Sequence, residues 1–165
     1  MTVQTVKATG QRFEGSLNGS GLRVAVVVAR FNPEVTNGLL DGANQVLRAQ
    51  GVEPESIDVA YVPGSFELPL AASRLAGSGR YDAVICLGAI IKHETRHDEF
   101  IANAVANGIT RAALDAGLPI VFGVLTTESD DQAMTRSTGE ANRGRFRRSW
   151  RLWSSAASKS TAARS

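Results

Sequence analysis

Residues 23–29 read Arg-Val-Ala-Val-Val-Val-Ala, apolar at nearly every position. A strand of that kind needs cover on both faces, whereas a half-wet antiparallel strand would alternate. Asn32 and Pro33 follow at once, an N-cap candidate with proline at the first helical position. Behind them Val35, Leu39, Ala43, Val46 and Leu47 form one apolar stripe that Gly51 ends. The same change of period recurs along the chain. Residues 56–62 read as a second strand, broken by Pro63-Gly64, and Leu68, Ala71, Ala72 and Leu75 as a helix with Pro69 in its first turn, closed by residues 77–79. Residues 83–87 read as a third strand, and Ile101, Ala104, Val105, Gly108, Ile109 and Ala112 as a longer helix stopped by Gly117 and Pro119. Residues 120–125 make a fourth strand, and residues 130–136 a short helix capped by Ser129; residues 11–15 add a short N-terminal edge strand. This alternation predicts βαβ units around a four-stranded, mostly parallel sheet, an α/β class.

A chain of 165 residues corresponds to one domain, and 43% hydrophobic with 21% charged residues is the composition of a globular protein. The single cysteine, Cys86, excludes an internal disulfide framework and any cysteine-based zinc cluster; inside an apolar strand it reads as core. Of 18 basic and 16 acidic side chains, seven basic and no acidic ones fall in residues 143–165, which leaves 11 against 16 before them. The basic character is therefore a property of the tail. The longest apolar runs, residues 24–29 and 84–91, are far below the roughly 18 residues of a membrane span. Residues 1–16 are polar without an apolar h-region, so a cytoplasmic protein is expected.

Open parallel sheets bind ligands beyond the carboxyl ends of their strands. The candidate segments are thus residues 29–32, 62–67, 88–97 and 122–127. The third contains His93-Glu94-Thr95-Arg96-His97, a literal H-E-x-x-H. A zinc protease needs both histidines on one face of an established helix plus a further ligand; here the match begins only about six residues after a strand, and no third histidine exists, which leaves a carboxylate as the third ligand of that reading. At a strand-to-helix junction the amides of Glu94 and Thr95 suit an anion such as phosphate, with His97 placed to move a proton. A helix-start histidine with no role is the competing reading. Phe66 and Glu67, after a Pro-Gly turn, present an aromatic face and an acceptor to the crevice. Phe31 and Phe122 are read as strand-end aromatics, either core caps or a stacking site, and Arg136 as either a phosphate fork or a solvated helix end.

Taken in order, Phe31-Asn32, Val62-Pro-Gly-Ser-Phe-Glu-Leu-Pro69, Leu87-Gly-Ala-Ile-Ile-Lys92, Glu94-Thr95, His97 and Phe122-Gly-Val-Leu-Thr-Thr127, followed by Asp131-Gln-Ala-Met-Thr-Arg136, resemble the lumazine synthase family over residues 22–136. The resemblance implies a flavodoxin-like three-layer αβα sandwich. It also implies condensation of 5-amino-6-(D-ribitylamino)uracil with 3,4-dihydroxy-2-butanone 4-phosphate to 6,7-dimethyl-8-ribityllumazine, the penultimate step of riboflavin synthesis. By that resemblance Phe31 stacks on the pyrimidine, Ser65, Phe66 and Glu67 contact ring and ribityl chain, and Ala89, Ile90 and Ile91 read the pyrimidine edge. Glu94, Thr95 and Arg136 bind phosphate, His97 transfers protons, and Phe122 reaches a neighbouring subunit's ring. It implies no cofactor, and a homo-oligomer: a pentamer or a pentamer-based icosahedral shell with pockets shared between subunits.

Against the family pattern, His93 stands where members carry glycine and Arg96 where many carry proline. Glu140 stands where many carry a positive charge, and Arg143 replaces a lysine. After Arg136 the alanine-rich last helix gives way to a divergent basic segment, residues 139–165, in which Phe146, Trp150, Trp153 and Ala157 keep helical spacing. A basic amphipathic helix docked in the usual place, or a frame-shifted tail, accounts for it better than a nucleic-acid or membrane-surface tail. Residues 1–20 are expected as an N-terminal arm of the single domain. Two alternatives stand beside the synthase reading: a zinc hydrolase using His93 and His97, and a non-catalytic paralogue binding a flavin-like ligand or nucleic acid.

Overall fold

A computed structural model describes residues 18–138. The expected edge strand at residues 11–15, most of the arm and the whole basic segment lie outside the described residues. The apolar run becomes β1 (Val24–Ala29), buried at all six positions. Each backbone group of such a strand needs a ladder partner, because no water reaches it. β2 (Ile57–Val62) and β3 (Ala83–Ile91) supply these partners, one on each side and both parallel. β4 (Ile120–Thr127) pairs with the far side of β3, so the sheet order is β2-β1-β3-β4.

Side chains alternate across this sheet. Val24, Val26 and Val28 meet Leu39, Ala43 and Leu47 of α1 (Pro33–Ala49), in a cluster that also holds Ala133 of α4 (Asp130–Ser137). Ala25 and Val27 face the other way, into a cluster with Leu68 and Ala72 of α2 (Leu68–Ala76) and Val105 and Ile109 of α3 (His97–Ala116). The result is a three-layer, flavodoxin-like α/β fold in which the four described strands are all parallel. Fully burying one leucine such as Leu39 stabilises it by about 1.5–3 kcal/mol, so the two clusters dominate the favourable side of folding.

The expected element ends follow local chemistry. Gly117 closes α3 at φ 57 and Gly51 follows α1 at φ 88, left-handed conformations that cost a glycine nothing. The Ser129 side chain accepts from the Gln132 N–H at 3.3 Å, as a helix cap should.

β3 and β4 differ from expectation by running further, to Ile91 and Thr127 instead of residues 87 and 125. Gly88 looks like a break in the sequence, but Gly88, Ala89, Ile90 and Ile91 pair in register with Val124, Leu125, Thr126 and Thr127. Tertiary pairing thus outweighs the low strand preference of glycine. The glycine is there for contact: a Cβ at this position would lie 2.6 Å from Ser65 Oγ and 3.0 Å from Leu68 Cδ1.

Cys86 is fully buried in β3, and burial pushes its thiol up to about 12. Thiol exchange requires the thiolate, which burial withholds here. At pH 8 the folded protein is expected to stay silent toward a disulfide reagent for as long as the urea-unfolded chain takes to react completely. Rapid native labelling would contradict the packing described.

Candidate active site at the carboxyl ends of β1, β2 and β3

The strand order reverses between β1 and β3, since β2 is added on one side of β1 and β3 on the other. Such a switch point leaves a crevice because the two connections leave in opposite directions. A cavity of about 360 Å³ occupies this place. Phe31 and Asn32 enter it from the end of β1, Gly64, Ser65 and Phe66 from the turn after β2, and Ala89, Ile90 and Ile91 from the end of β3. The following loop and the start of α3 complete it with His93, Thr95, His97, Asp98 and Ile101.

The ladder continues past the strands and pins these loops. The Arg30 and Phe31 N–H groups donate to the Val62 and Pro63 carbonyls at 2.8 and 3.1 Å, and the Lys92 N–H donates to the Thr127 carbonyl at 2.9 Å. The rings of Phe31 and Phe66 are 65% and 61% exposed at the cavity, which makes them available to stack on a planar ligand instead of closing the core.

Asn32 precedes α1 as expected, but its side chain makes no capping bond. The residue is left-handed, φ 58 and ψ 59, and its Nδ2 donates to the Ala89 carbonyl at 3.4 Å. It therefore ties the ends of β1 and β3 together inside the cavity wall. Tolerance of the left-handed region by asparagine was the available sequence signal; the target across the sheet was not visible.

Glu67 does not line the cavity. Its Oε2 accepts from the Gly64 N–H at 2.9 Å and so braces the turn that presents Ser65 and Phe66. Ser65 itself is 7% exposed, and its Oγ has no hydrogen-bond partner.

In the loop of residues 92–96, Thr95 reaches the cavity and Glu94 does not. The two loop cations are engaged with carboxylates: Lys92 Nζ with Glu128 at 2.8 Å and Arg96 with Glu99 at 2.7 Å. The hydrogen bond to Glu128 raises the Lys92 ammonium above its ordinary value, and that to Arg96 lowers the Glu99 carboxyl. These pairs are exposed and contribute little to stability. His97 is the first residue of α3 and His93 lies in the loop before it. The H-E-x-x-H spacing therefore does not put two imidazoles on one helical face. No cluster of three metal-ligating side chains exists among the described residues.

Besides Glu67 and Glu94, two further predicted site residues are not brought to this cavity. Phe122, expected at a strand's carboxyl end, is the third residue of β4, opposite Cys86, while the cavity residues of β3 lie opposite residues 125–127. Its ring is 45% exposed on the edge strand. Arg136, near the end of α4, donates from Nη1 to the Gln132 carbonyl at 3.0 Å and does not line the cavity either.

A family model described as 6,7-dimethyl-8-ribityllumazine synthase matches residues 21–150. The chain belongs to that family. Lumazine synthases are enzymes of riboflavin biosynthesis, of transferase type, that act on small molecules. The match runs past Arg136 to residue 150, so it includes part of the segment in which the basic residues begin. No helix among the described residues is long and apolar enough to cross a membrane.

The left-handed geometry at Asn32 gives a direct check. Asn32→Gly keeps the conformation and is expected to leave stability within about 1 kcal/mol, whereas Asn32→Ala should lose about 1–2 kcal/mol in urea unfolding. Equal stabilities for the two variants would show that the left-handed turn is not maintained.

Proposed function

We propose that this protein condenses 5-amino-6-(D-ribitylamino)uracil with 3,4-dihydroxy-2-butanone 4-phosphate to give 6,7-dimethyl-8-ribityllumazine, phosphate and two molecules of water. The observation that carries this reading is the convergence of Phe31, Ser65, Phe66, the Ala89, Ile90 and Ile91 stretch, Thr95 and His97 on one cavity in a chain of this family. The exposed rings of Phe31 and Phe66 suit the planar pyrimidine. Ser65 and the backbone of Ala89, Ile90 and Ile91 suit its polar edge and hydroxyls, with Glu67 acting by bracing the turn. Glu94, through its amide, and Thr95 would hold the phosphate.

The chemistry is positioning and proton movement. The free amine of the uracil attacks the ketone carbon, and water leaves as the imine forms. Removal of a proton from the neighbouring hydroxyl-bearing carbon lets phosphate depart and leaves an enol, which takes a proton at the former phosphate-bearing carbon to become a methyl ketone; the ribityl-bearing nitrogen then closes the ring on that carbonyl, with loss of a second water. The amine is already nucleophilic, so no side chain needs activation; His97 takes and returns protons at the cavity wall.

Phe122 and Arg136 do not reach their own chain's cavity, so their roles are supported only if they complete the cavity of an adjoining subunit. Exposed Phe122 on β4, and exposed Val59 and Tyr61 on β2, the two outer strands among the described residues, suit such a homo-oligomer, a pentamer or a shell of pentamers.

Mixing the two substrates and following lumazine fluorescence tests the activity; only the slow uncatalysed rate would reject it. Stoichiometric zinc with activity lost to chelation would instead favour a hydrolase built on His93 and His97. His97→Ala is expected to lower turnover on the order of 10²-fold or more with a modest change in KM. Arg136→Ala should chiefly raise the KM for the butanone phosphate, by about 10- to 100-fold. An equal rise for both substrates would contradict a phosphate role. Co-refolding the two variants should restore part of the activity at low butanone phosphate, because mixed oligomers contain seams with both residues intact; activity no higher than the sum of the two would place them in one chain's pocket.

A further inference from the structure

We propose that Asp98 is a specificity-determining contact of the cavity, its Oδ1 accepting a hydrogen bond from an N–H or O–H of the pyrimidine substrate. The proposal rests on the synthase reading above. Nothing in the sequence motifs singles out this residue; it follows His97 in the first turn of α3.

The walls around it are largely apolar, formed by Phe31, Phe66, Ile90, Ile91 and Ile101. Among the described residues, two side-chain oxygens are cut off from solvent without any hydrogen-bond partner, Ser65 Oγ and Asp98 Oδ1, and both residues line this one cavity. Three of the neighbouring polar side chains are committed elsewhere: Asn32 Nδ2 to the Ala89 carbonyl, Lys92 to Glu128 and Arg96 to Glu99. A buried carboxylate oxygen left unpaired is costly, and an ionised carboxylate can only accept. What relieves it is a donor brought by the ligand.

The two substrates differ in what they bring. The butanone phosphate carries a multiply charged anion, which a carboxylate repels. The aminouracil carries N–H groups and a chain of hydroxyls without that charge. Asp98 therefore favours the pyrimidine over the butanone phosphate as its hydrogen-bonding partner.

The test is calorimetric binding of 5-amino-6-(D-ribitylamino)uracil alone, with no ketone present to react, to the assembled full-length protein. Asp98→Ala should weaken this binding about 10- to 100-fold while leaving the KM for butanone phosphate unchanged or lower. Asp98→Asn, which keeps the shape and a neutral acceptor, should weaken it several-fold and guards against a folding defect in the alanine variant. Pyrimidine binding within twofold of wild type in both variants would overturn the assignment, as would an equal loss for both substrates, the mark of general distortion. A wild-type protein that binds the pyrimidine but makes no product would reject the synthase reading while leaving the Asp98 measurement interpretable.

Discussion

The parallel pairing of β1 with β3 is the interaction on which the rest depends. It places a fully apolar strand in the middle of the sheet, where both faces and both edges are occupied. It also creates the reversal in strand order that opens the cavity. A shift of one residue in this register would exchange the two faces and send Val24, Val26 and Val28 into the layer built for Ala25 and Val27. Core packing and site geometry are therefore consequences of one pairing.

Close approach is the second theme, and glycine makes it feasible. A Cβ at Gly88 would collide with the Ser65 side chain, and one at Gly108 would sit 2.7 Å from Pro69 Cβ. The first contact presses the turn after β2 onto β3, so that Ser65 and Phe66 face the same space as Ala89, Ile90 and Ile91. The second lets α3 lie against α2, which fixes where the start of α3 falls. His97 and Asp98 are located by that helix and not by the loop in front of it. The site is thus built on strand ends and a helix start, joined by short turns at residues 30–32 and 63–64 and by the loop of residues 92–96.

Charge around the loop is arranged so that cations are held by carboxylates while the imidazoles stay at the cavity. Lys92 and Arg96 are each tied to an acidic partner. Arg96 and His93, two residues of this loop, therefore have different consequences. Arg96 is absorbed by Glu99 on the outside of α3, and His93 adds a polar ring to the cavity wall.

The class of fold was legible in the sequence because doubly covered strands and amphipathic helices leave different periods, and those periods depend only on neighbours along the chain. Helix ends at Gly51, Gly117 and Ser129 were legible for the same reason, since capping is local chemistry. The lengths of β3 and β4 were not, because Gly88 and Thr127 take strand geometry from a partner across the sheet. The candidate site divides along the same line. Phe31, Ser65, Phe66, Thr95 and His97 could be picked from strand-end and helix-start positions and from family resemblance. That Glu67 braces a turn, that Asn32 reaches Ala89, that Asp98 faces the cavity, and that Phe122 and Arg136 do not, was decided by tertiary structure alone. Direction of a side chain is set by what packs against it from distant segments, and no local pattern carries that information.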